Sequence, residues 1–491
     1  MGFPLLSLII FTPAAGAAVL MFLRSDEAAR WTALGVTMLD LALCVAMLAS
    51  FDTDTHQMQF TESRPWVPAL GITYALGVDG ISALFVFLTA LLGWVCVLAS
   101  WVAIERSVKE FMVSLLVMQA LMLGVFCALD LFMFYVFWEA MLIPMYLIIG
   151  VWGGNGRVYA AIKFFLYTLA GSLLFLIGVI VLYLQGGKTF DILALTAQDL
   201  PFPVQSFLFF AFLVAFAVKV PMVPVHTWLP DAHVQAPTAG SIILAGVLLK
   251  MGAYGFLRFS LPMLPEASVH YSTLMLALSA LAIVYGGLLA LAQDDLKKLV
   301  AYSSISHMGF VTLGIFALNF RGLEGAILQM FNHGVTTGAL FLFVGLIYER
   351  THTRSIADYG GLMKVAPVYT VFLALFTLSS MALPGTNSFV GELLVLSGGF
   401  AANLAVGAAA VFGALLGAAY LLGMYRNVAL GPASVGARFK IRDVNGREMT
   451  AILPLALFVL WVGLYPKPFL NIIDASVKHL LAQVHSKGSG Q

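Results

Sequence analysis

Fourteen apolar segments, each long enough to cross a lipid bilayer, follow one another along this chain. A hydrocarbon core of about 30 Å needs roughly 20 predominantly apolar residues per helix. Apolar and aromatic residues make up 61% of the 491 positions and charged residues only 10%, whereas a soluble domain carries about 25% charged residues. The predicted fold class is therefore all-α, a polytopic membrane protein with about fourteen transmembrane helices. The predicted spans are 3–23, 31–50, 78–101, 111–129, 131–151, 160–184, 206–229, 239–260, 271–292, 299–318, 324–348, 367–400, 405–427 and 451–470.

Lysine and arginine residues are unevenly divided between the two sets of loops. Sixteen fall on one side and seven on the other, and the remaining two lie inside spans. Because cytoplasmic loops carry the excess of positive charge, we predict both termini outside the cytoplasm and the loop 426–450 inside it. Residues 1–23 lack a basic n-region and an obvious cleavage site, so a first spanning helix is predicted rather than a signal peptide.

Two spans are interrupted by prolines. The seventh contains Lys219-Val-Pro-Met-Val-Pro224 and the twelfth Ala382-Leu-Pro-Gly-Thr-Asn387. Irregular backbone at membrane depth is tolerated only where it is buried in protein or lines a water-filled cavity. Breaks five spans apart fit two inverted five-helix repeats, a transporter pattern. The predicted organisation is helices 1–3 in 1–110, the first repeat with broken helix 7 in 111–260, the second with broken helix 12 in 261–427, and a cytoplasmic loop, helix 14 and tail in 428–491.

Four ionisable side chains lie near the middle of these spans, namely Glu139, Lys219, Lys250 and Glu392. A charge at the bilayer centre costs roughly 2.5–3.5 kcal/mol on insertion scales, so such residues pair, face water or carry function. Two acids and two bases in this order indicate a proton route. The structural alternatives are an ion pair or protonated acid at Glu139, a carbonyl-bonded packing residue at Lys250 and a helix cap at Glu392.

Lys219 is the expected partner of Glu139, provided that the fifth and seventh spans touch. A buried lysine beside an acid stays protonated, whereas a buried lysine whose acid has moved away releases its proton more readily. A pair that opens and closes would therefore act as a switch. Lys250 has no acid within a helical turn in the sequence, which suits a relay. Glu392 follows the second break and suits the far end of that relay.

Three histidines add titratable groups: His226, His307 and His333. Serine, threonine and asparagine neighbours could hold water beside them, but a histidine near a helix end is as often a satisfied polar residue as a relay, and both interpretations stay open. The charged residues of segment 294–298 favour a solvated membrane-edge cluster over a proton funnel. The stretch 228–237 is too polar for lipid contact, so we expect it to be covered by protein or water.

The chain shows no ligand pattern for a metal or redox cofactor. Its three cysteines, Cys44, Cys96 and Cys127, stand alone in apolar segments, and no CxxC pair occurs. Most of the nine histidines fall near segment ends rather than at positions suited to axial haem ligands. We expect no cofactor on this chain. A net charge of +1 also gives no electrostatic footprint for nucleic acid.

The stretch KVPMVPVHTWLPDAHVQAPTAG from Lys219 to Gly240, with its continuation to Lys250, is the most specific sequence in the chain. It resembles the antiporter-like proton-pumping subunits of respiratory complex I, NADH:quinone oxidoreductase, and the resemblance covers essentially the whole length. Within that family the chain resembles the subunit M branch, the counterpart of mitochondrial subunit 4. The Val-Gly-Glu setting of Glu392, where the sister branches usually have lysine, and the short tail without a long lateral helix carry this assignment.

The resemblance implies that Glu139 and Lys219 form the switching pair. Lys250 would be the central relay and Glu392 the exit-side relay of protons moving from cytoplasm to periplasm. The family's polar-axis positions match His226, His307 and His333. NADH, FMN, iron–sulfur clusters and quinone would be bound by other subunits. The implied partners are other membrane subunits, especially the two sister antiporter-like subunits, and lipids, in a bacterial inner membrane with both termini periplasmic.

Two alternatives stay open. A subunit of a multisubunit Na⁺/H⁺ antiporter or of a membrane-bound hydrogenase shares the pattern of glutamates and lysines, and a Na⁺-dependent activity would favour the antiporter. A structural membrane spacer would use its buried charges only to hold helices together. The broken helices count against the spacer, because a spacer does not need them.

Overall fold

The structure, a computed structural model, describes residues 4–431, 439 and 441–488 and is almost entirely helical. Thirteen of the described helices are long and apolar enough to cross a membrane, and two shorter apolar helices together form the interrupted twelfth span. The predicted all-α polytopic class is confirmed. Residues 432–438 and 440 of the predicted cytoplasmic loop, among them Arg438 and Lys440, lie outside the described residues.

The N-terminal part combines three spanning helices with a β-hairpin. The elements are α1 (Leu5–Phe22), α2 (Asp26–Ala49), β1 (Gln59–Val67), β2 (Ile72–Val78) and α3 (Ala83–Ala103). The two strands pair antiparallel, with Arg64 opposite Tyr74. Hydropathy predicts only a connection between the second and third spans here, because the segment has no long apolar run. The hairpin is therefore an addition to the predicted fold.

Glu62 of the hairpin holds the start of α1. Its Oε1 accepts hydrogen bonds from the backbone amides of Leu6 at 2.8 Å and Ser7 at 3.1 Å. The hydroxyl of Tyr74 lies 2.7 Å from that of Ser7. Since the first N–H groups of a helix have no partner within it and favour negative charge, this contact stabilises both the hairpin and the helix.

The first half of the membrane core ends in the long buried helix that carries Lys250. Its elements are α4 (Val108–Cys127), α5 (Leu131–Ala140), α6 (Leu142–Trp152), α7 (Arg157–Gln185), α8 (Ile192–Thr196), α9 (Phe202–Lys219), α10 (Trp228–Gln235) and α11 (Thr238–Met263). Helices α5 and α6 together make one span. The predicted seventh span is interrupted as expected, since α9 stops at Lys219.

The break after α9 is closed by protein contacts. The indole N–H of Trp228 donates to the Val218 carbonyl at 2.9 Å, and the Met222 amide donates to the Ala217 carbonyl at 2.8 Å. These contacts satisfy carbonyls at the end of α9 that the break would otherwise leave without a donor. The break is therefore buried in protein, which is one of the two conditions for irregular backbone at membrane depth.

Helix α11 contains two π-helical segments, Leu244–Leu248 and Phe256–Ser260. Such segments are rare and frequently accompany functional sites. Lys250 follows the first of them by two residues. Arg258, in the second, forms a buried ion pair of 2.5 Å with Asp79 just before α3, which fixes this end of α11 against the N-terminal part.

The second half of the core has a broken span of its own. Its elements are α12 (Pro265–His270), α13 (Ser272–Leu291), α14 (Leu296–Phe316), α15 (Phe320–Thr351), α16 (Pro367–Ser380), α17 (Asn387–Ala402) and α18 (Leu404–Ala429). The break between α16 and α17 turns through Gly385, whose φ of +93° favours glycine. Asn387 then closes the break, because its Oδ1 accepts hydrogen bonds from Ser379 at 2.5 Å and Thr336 at 3.2 Å.

The C-terminal part consists of α19 (Gly446–Leu464) and α20 (Lys467–Gly488). The predicted last span reaches residue 470, but α19 ends at Leu464, before Pro466. Helix α20 is a separate element that packs against α12 and α15. The predicted short tail is thus largely helical.

The loop before β1 meets α20 through two stacked histidines, and we predict that this contact weakens in acid. The rings of His56 and His479 lie 3.9 Å apart at 20°. Burial and, next, the neighbouring His56 lower the pKa of His479 below its usual value of about 6.5. Protonation therefore disfavours the docked state, so the contact loses stability as the pH falls below about 6.5.

Hydrogen exchange of α20, corrected for intrinsic rates, should accordingly be faster at pH 5 than at pH 8. His479→Gln should remove most of this difference. Equal corrected rates in the unaltered protein at both pH values would contradict the prediction.

Candidate functional site

Lys219, the last residue of α9, directs its ammonium group into the protein. Its side chain is almost fully buried, with 1% exposure, and Nζ lies 4.9 Å from the ring centroid of Trp138, a cation–π contact. Nζ has no hydrogen-bond partner among the described residues. Through this contact the fifth and seventh spans touch, which is the condition for Lys219 to act as the partner of Glu139.

Glu139 follows Trp138 on α5 and is half-buried. Its Oε1 also lacks a hydrogen-bond partner in the described part of the chain. The carboxylate lies beside the Ser172 hydroxyl and within electrostatic range of Lys219. No direct Glu139–Lys219 ion pair occurs among the contacts of the described residues, so the two side chains are in a separated arrangement. The switching role of this pair stays a prediction.

Gly252 allows α9 to pack closely on α11. A Cβ atom at this position would come within 2.7–2.9 Å of the Val220 side chain, the Phe216 carbonyl and Cβ of Lys219. Real Cβ atoms do not make contacts this short. The absence of a side chain at Gly252 therefore lets the end of α9 lie against the helix turn that follows Lys250.

Lys250 is completely buried on α11. Its ammonium nitrogen donates to the carbonyl of Ala245, within the π-helical segment, and lies 2.6 Å from Nδ1 of His333 on α15. No acid forms an ion pair with it among the described residues. The carbonyl-bonded alternative is thus part of the observed arrangement, but the contact with His333 gives Lys250 a titratable neighbour as well.

Two further buried side chains, His307 and Glu392, follow on from His333. The ring centroids of His333 and His307 are 5.8 Å apart, and His307 Nδ1 lies 3.1 Å from Glu392 Oε1. Gln329 donates to the same oxygen at 3.0 Å, and Ser380 lies 3.3 Å from the other ring nitrogen of His307. Gln329 and Ser380 are polar neighbours that the sequence analysis did not single out.

We name Lys250, His333, His307 and Glu392 the polar row. All four side chains are buried, and they come from the four helices α11, α15, α14 and α17. A neutral imidazole accepts a hydrogen bond at one nitrogen and donates at the other, so two histidines between a lysine and a carboxylate suit stepwise proton transfer. The structure therefore joins two of the three predicted histidines to two of the four predicted charges.

His226 lies apart from the polar row, in the break between α9 and α10. It is buried, its ring contacts that of Tyr285 at 5.7 Å, and its Nδ1 has no partner among the described residues. Lys163, in electrostatic range of His226, forms an ion pair of 2.6 Å with Asp231. Lys163 lies near the start of α7 and is one of the sixteen basic residues counted for the cytoplasmic side, so the predicted orientation puts His226 on that side of the break.

The burial of Lys297 shows that one sequence-based interpretation is wrong. The segment 294–298 was expected to be a solvated cluster at the membrane edge, but Lys297 is buried and its Nζ donates to the Ala236 carbonyl at 2.5 Å. Lys298, the next residue, is exposed. The difference arises because helix periodicity turns one lysine toward the end of α10 and the other toward solvent.

His233 of α10 is a buried histidine that the sequence analysis noted only as part of a polar stretch. It has no exposed surface, and neither ring nitrogen has a partner among the described residues. Its ring stacks on Phe341 at 4.4 Å and lies within electrostatic range of Lys250 and Lys297. The expectation that stretch 228–237 is covered by protein is confirmed.

The three cysteines are free and buried. Within the part of the chain that the structure describes, no group of three histidine, cysteine, aspartate or glutamate side chains is arranged to hold a metal ion.

A helical membrane bundle with two broken spans and a buried row of bases and an acid defines the class of ion-translocating membrane proteins. The chain belongs to the family of transmembrane proteins described as NADH:quinone oxidoreductase/Mrp antiporter, whose model matches residues 128–417. This region includes Glu139, both breaks and the polar row.

Individual relatives agree with this family. NADH-quinone oxidoreductase subunit M from Rhodobacter capsulatus is 50% identical, over 98% of this chain and 97% of its own length. NADH-ubiquinone oxidoreductase chain 4 from Arabidopsis thaliana is 46% identical, over 97% of each. A chain in the structure of respiratory complex I from Thermus thermophilus with bound NADH superposes with a TM-score of 0.89 at 33% identity, covering 97% of this chain and 99% of that one. The resemblance seen in the sequence is confirmed.

Proposed function

We propose that this chain is the M-type proton-translocating membrane subunit of an NADH:quinone oxidoreductase. It moves protons from the cytoplasm to the periplasm, coupled to quinone reduction in other subunits. The polar row carries the proposal, because it places two histidines between a buried lysine and a buried glutamate inside the helical bundle. The full-length similarity to subunit M and chain 4 relatives supports the assignment.

In this proposal Glu139 and Lys219 form the switch. Pairing of the two side chains holds the charge on each, and separation frees the proton of Lys219 for transfer. The separated arrangement, with Lys219 against Trp138, supports a pair that is able to open. Gly252 keeps the end of α9 close to α11. Opening of the Glu139–Lys219 pair therefore affects Lys250.

Lys250 is the central relay and Glu392 the exit-side relay, with His333 and His307 between them. His226 belongs to the cytoplasmic approach to this axis. Moving one charge through 100 mV requires about 2.3 kcal/mol, and a tenfold change in proton affinity corresponds to about 1.4 kcal/mol. Coupled changes of about two orders of magnitude in proton affinity along the row therefore suffice for one transfer.

The redox chemistry belongs to other subunits. NADH, FMN, iron–sulfur clusters and quinone bind there, and this chain contributes proton transfer alone. The partners are other membrane subunits, especially the two sister antiporter-like subunits, and lipids. Exposed apolar side chains on α1, α2 and α7, such as Phe22, Trp31 and Leu166, support contacts of this kind within a membrane.

The chain is an integral membrane protein by the number of its apolar helices. We assign it to the bacterial inner membrane with both termini periplasmic, on the basis of the sixteen-to-seven distribution of basic residues. The proposed organisation keeps two inverted repeats, 111–260 and 261–427, each with one broken span, between the flanking regions 1–110 and 428–491. The two breaks, five spans apart, support this division.

A subunit of a multisubunit Na⁺/H⁺ antiporter is the second candidate, because the matching family description covers both classes. Inverted membrane vesicles with the intact complex separate the two. NADH oxidation should acidify the vesicle interior at the same rate in Na⁺ medium and in choline medium, as read from the quenching of a pH-sensitive dye. Vesicles from cells that lack this chain provide the control. Loss of the interior acidification on addition of Na⁺, but not of choline, would instead favour the antiporter, because an antiporter exchanges interior protons for external Na⁺.

A further inference from the structure

A small cavity lies beside Glu392, where α14, α17 and α18 meet. The volume open to the centre of a water-sized sphere is about 10 Å³, which is close to the minimum for one water molecule. Its polar lining comes from Glu392, His307, Ser306, Ser380 and Tyr420. A water molecule needs two to four polar partners when buried, and this lining supplies them.

Tyr420 of α18 is a buried polar residue that lies outside the polar row. Its side chain is 2% exposed, and its hydroxyl has no hydrogen-bond partner of acceptable geometry among the described residues. The neighbouring Ser303 hydroxyl interacts with Tyr420, while its own proton is donated to the Val300 carbonyl at 2.8 Å. A buried hydroxyl without a well-aligned partner is unfavourable, so the Tyr420 hydroxyl favours a hydrogen-bonding occupant of the cavity.

Glu392, which also lines the cavity, can accept further hydrogen bonds. Its Oε1 accepts from His307 and Gln329, while Oε2 makes no hydrogen bond among the described side chains and backbone. A carboxylate has about four acceptor positions on its two oxygens. Tyr420 and Glu392 line the same cavity and lie within electrostatic range of each other.

We propose that this cavity binds one water molecule between Glu392 and the Tyr420 hydroxyl, and that Tyr420 is the positioning residue for that water. For each proton that Glu392 receives from His307 it passes one to the bound water, and the water releases one of its own protons toward the periplasmic side, so that it stays neutral. This inference rests on the proposed function, since it gives Glu392 the next group on its proton route. Helix α18 thereby contributes a side chain to the proton-transfer site instead of only packing against it.

Two glycines of α18 provide a matched test of the cavity. Gly417 lines it, and a Cβ there would lie 3.7 Å from the Tyr420 hydroxyl, which is an ordinary contact. Gly417→Ala is thus accommodated sterically, and its methyl group occupies space that the water needs. Gly423 has nothing within 4 Å of an added Cβ, so Gly423→Ala is the control in the same helix.

A second pair of variants tests the hydroxyl. Tyr420→Phe removes the positioning group with little change in volume. Tyr425 lies on the same helix outside the cavity, and its hydroxyl contacts the Thr370 carbonyl at 3.5 Å. Tyr425→Phe is therefore the matched control for the loss of a tyrosine hydroxyl.

The experiment measures proton uptake per quinone reduced in vesicles with the assembled complex, between pH 6 and 8.5. Gly417→Ala and Tyr420→Phe should each lower proton uptake about three- to tenfold and shift its pH profile, with both controls close to the unaltered complex. Complex content on native gels normalises every rate. Unaltered uptake and an unaltered pH profile in Gly417→Ala and Tyr420→Phe would overturn the inference.

Glu392→Gln separates this inference from the function on which it rests. If Glu392→Gln loses proton uptake while the Gly417 and Tyr420 variants keep it, the cavity is not used and the proposed function stands. If Glu392→Gln itself pumps normally, the exit-side relay assigned under the proposed function is wrong. If Tyr420→Phe prevents assembly, Gly417→Ala alone decides the outcome.

Discussion

Lys250→Ala is expected to lower both NADH-driven quinone reduction and proton uptake at least about tenfold in an assembled complex, which corresponds to 1.4 kcal/mol or more. The lysine is completely buried and lies two residues before Gly252, at which α11 packs closely against the end of α9 that carries Lys219. Its removal leaves His333 without the neighbour at 2.6 Å. Both rates should fall together, because in the proposed mechanism quinone reduction is coupled to the transfer.

Lys250→Arg distinguishes a relay from a fixed charge. Arginine keeps the positive charge but does not release its proton, so it should fail to restore pumping if Lys250 relays protons. Lys298→Ala, at an exposed lysine of α14, is the control for loss of a lysine. Normal rates in assembled Lys250→Ala complexes would move the relay elsewhere and bring the antiporter candidate forward.

The second large effect is expected at the switching pair. Lys219→Ala and Glu139→Gln should each reduce proton uptake and quinone reduction several-fold, because either change removes the charge to which the other side chain responds. The double variant should lose little more than the stronger single variant. Such non-additivity is the signature of two groups that act as one unit.

The measurement is a double-mutant cycle on proton uptake, normalised to assembled complex. Glu105→Gln, at an acid in the connection before α4, serves as the control for loss of a carboxylate. Near-normal pumping in either assembled single variant would contradict the switching role. Strictly additive losses would show that Glu139 and Lys219 act separately.

The sequence was sufficient for those features that depend on local composition. Apolar length located the spans, prolines located both breaks, and the depth of each charge within its span identified the four ionisable residues. The positions of His307 and His333 in neighbouring segments did not show that their rings lie 5.8 Å apart, because that distance depends on the rotation of α14 relative to α15. Helix rotation is set by tertiary packing, which a single sequence does not display.

Other features were missed for related reasons. The hairpin of β1 and β2 is short and lies among polar residues, so hydropathy gave no signal for it. The burial of Lys297 depends on which face of α14 meets α10. Tyr420 looked like one more aromatic residue in an apolar span, and only the cavity beside Glu392 distinguishes it.

The unequal burial of the two acids has a consequence for how this protein responds to its surroundings. Glu392 is enclosed by the chain's own helices, whereas Glu139 is half open at the surface of the bundle. Electrostatic attraction falls about fourfold between an effective dielectric constant of 20 and that of water. A lipid or protein that covered Glu139 would therefore strengthen its attraction to Lys219 by excluding water.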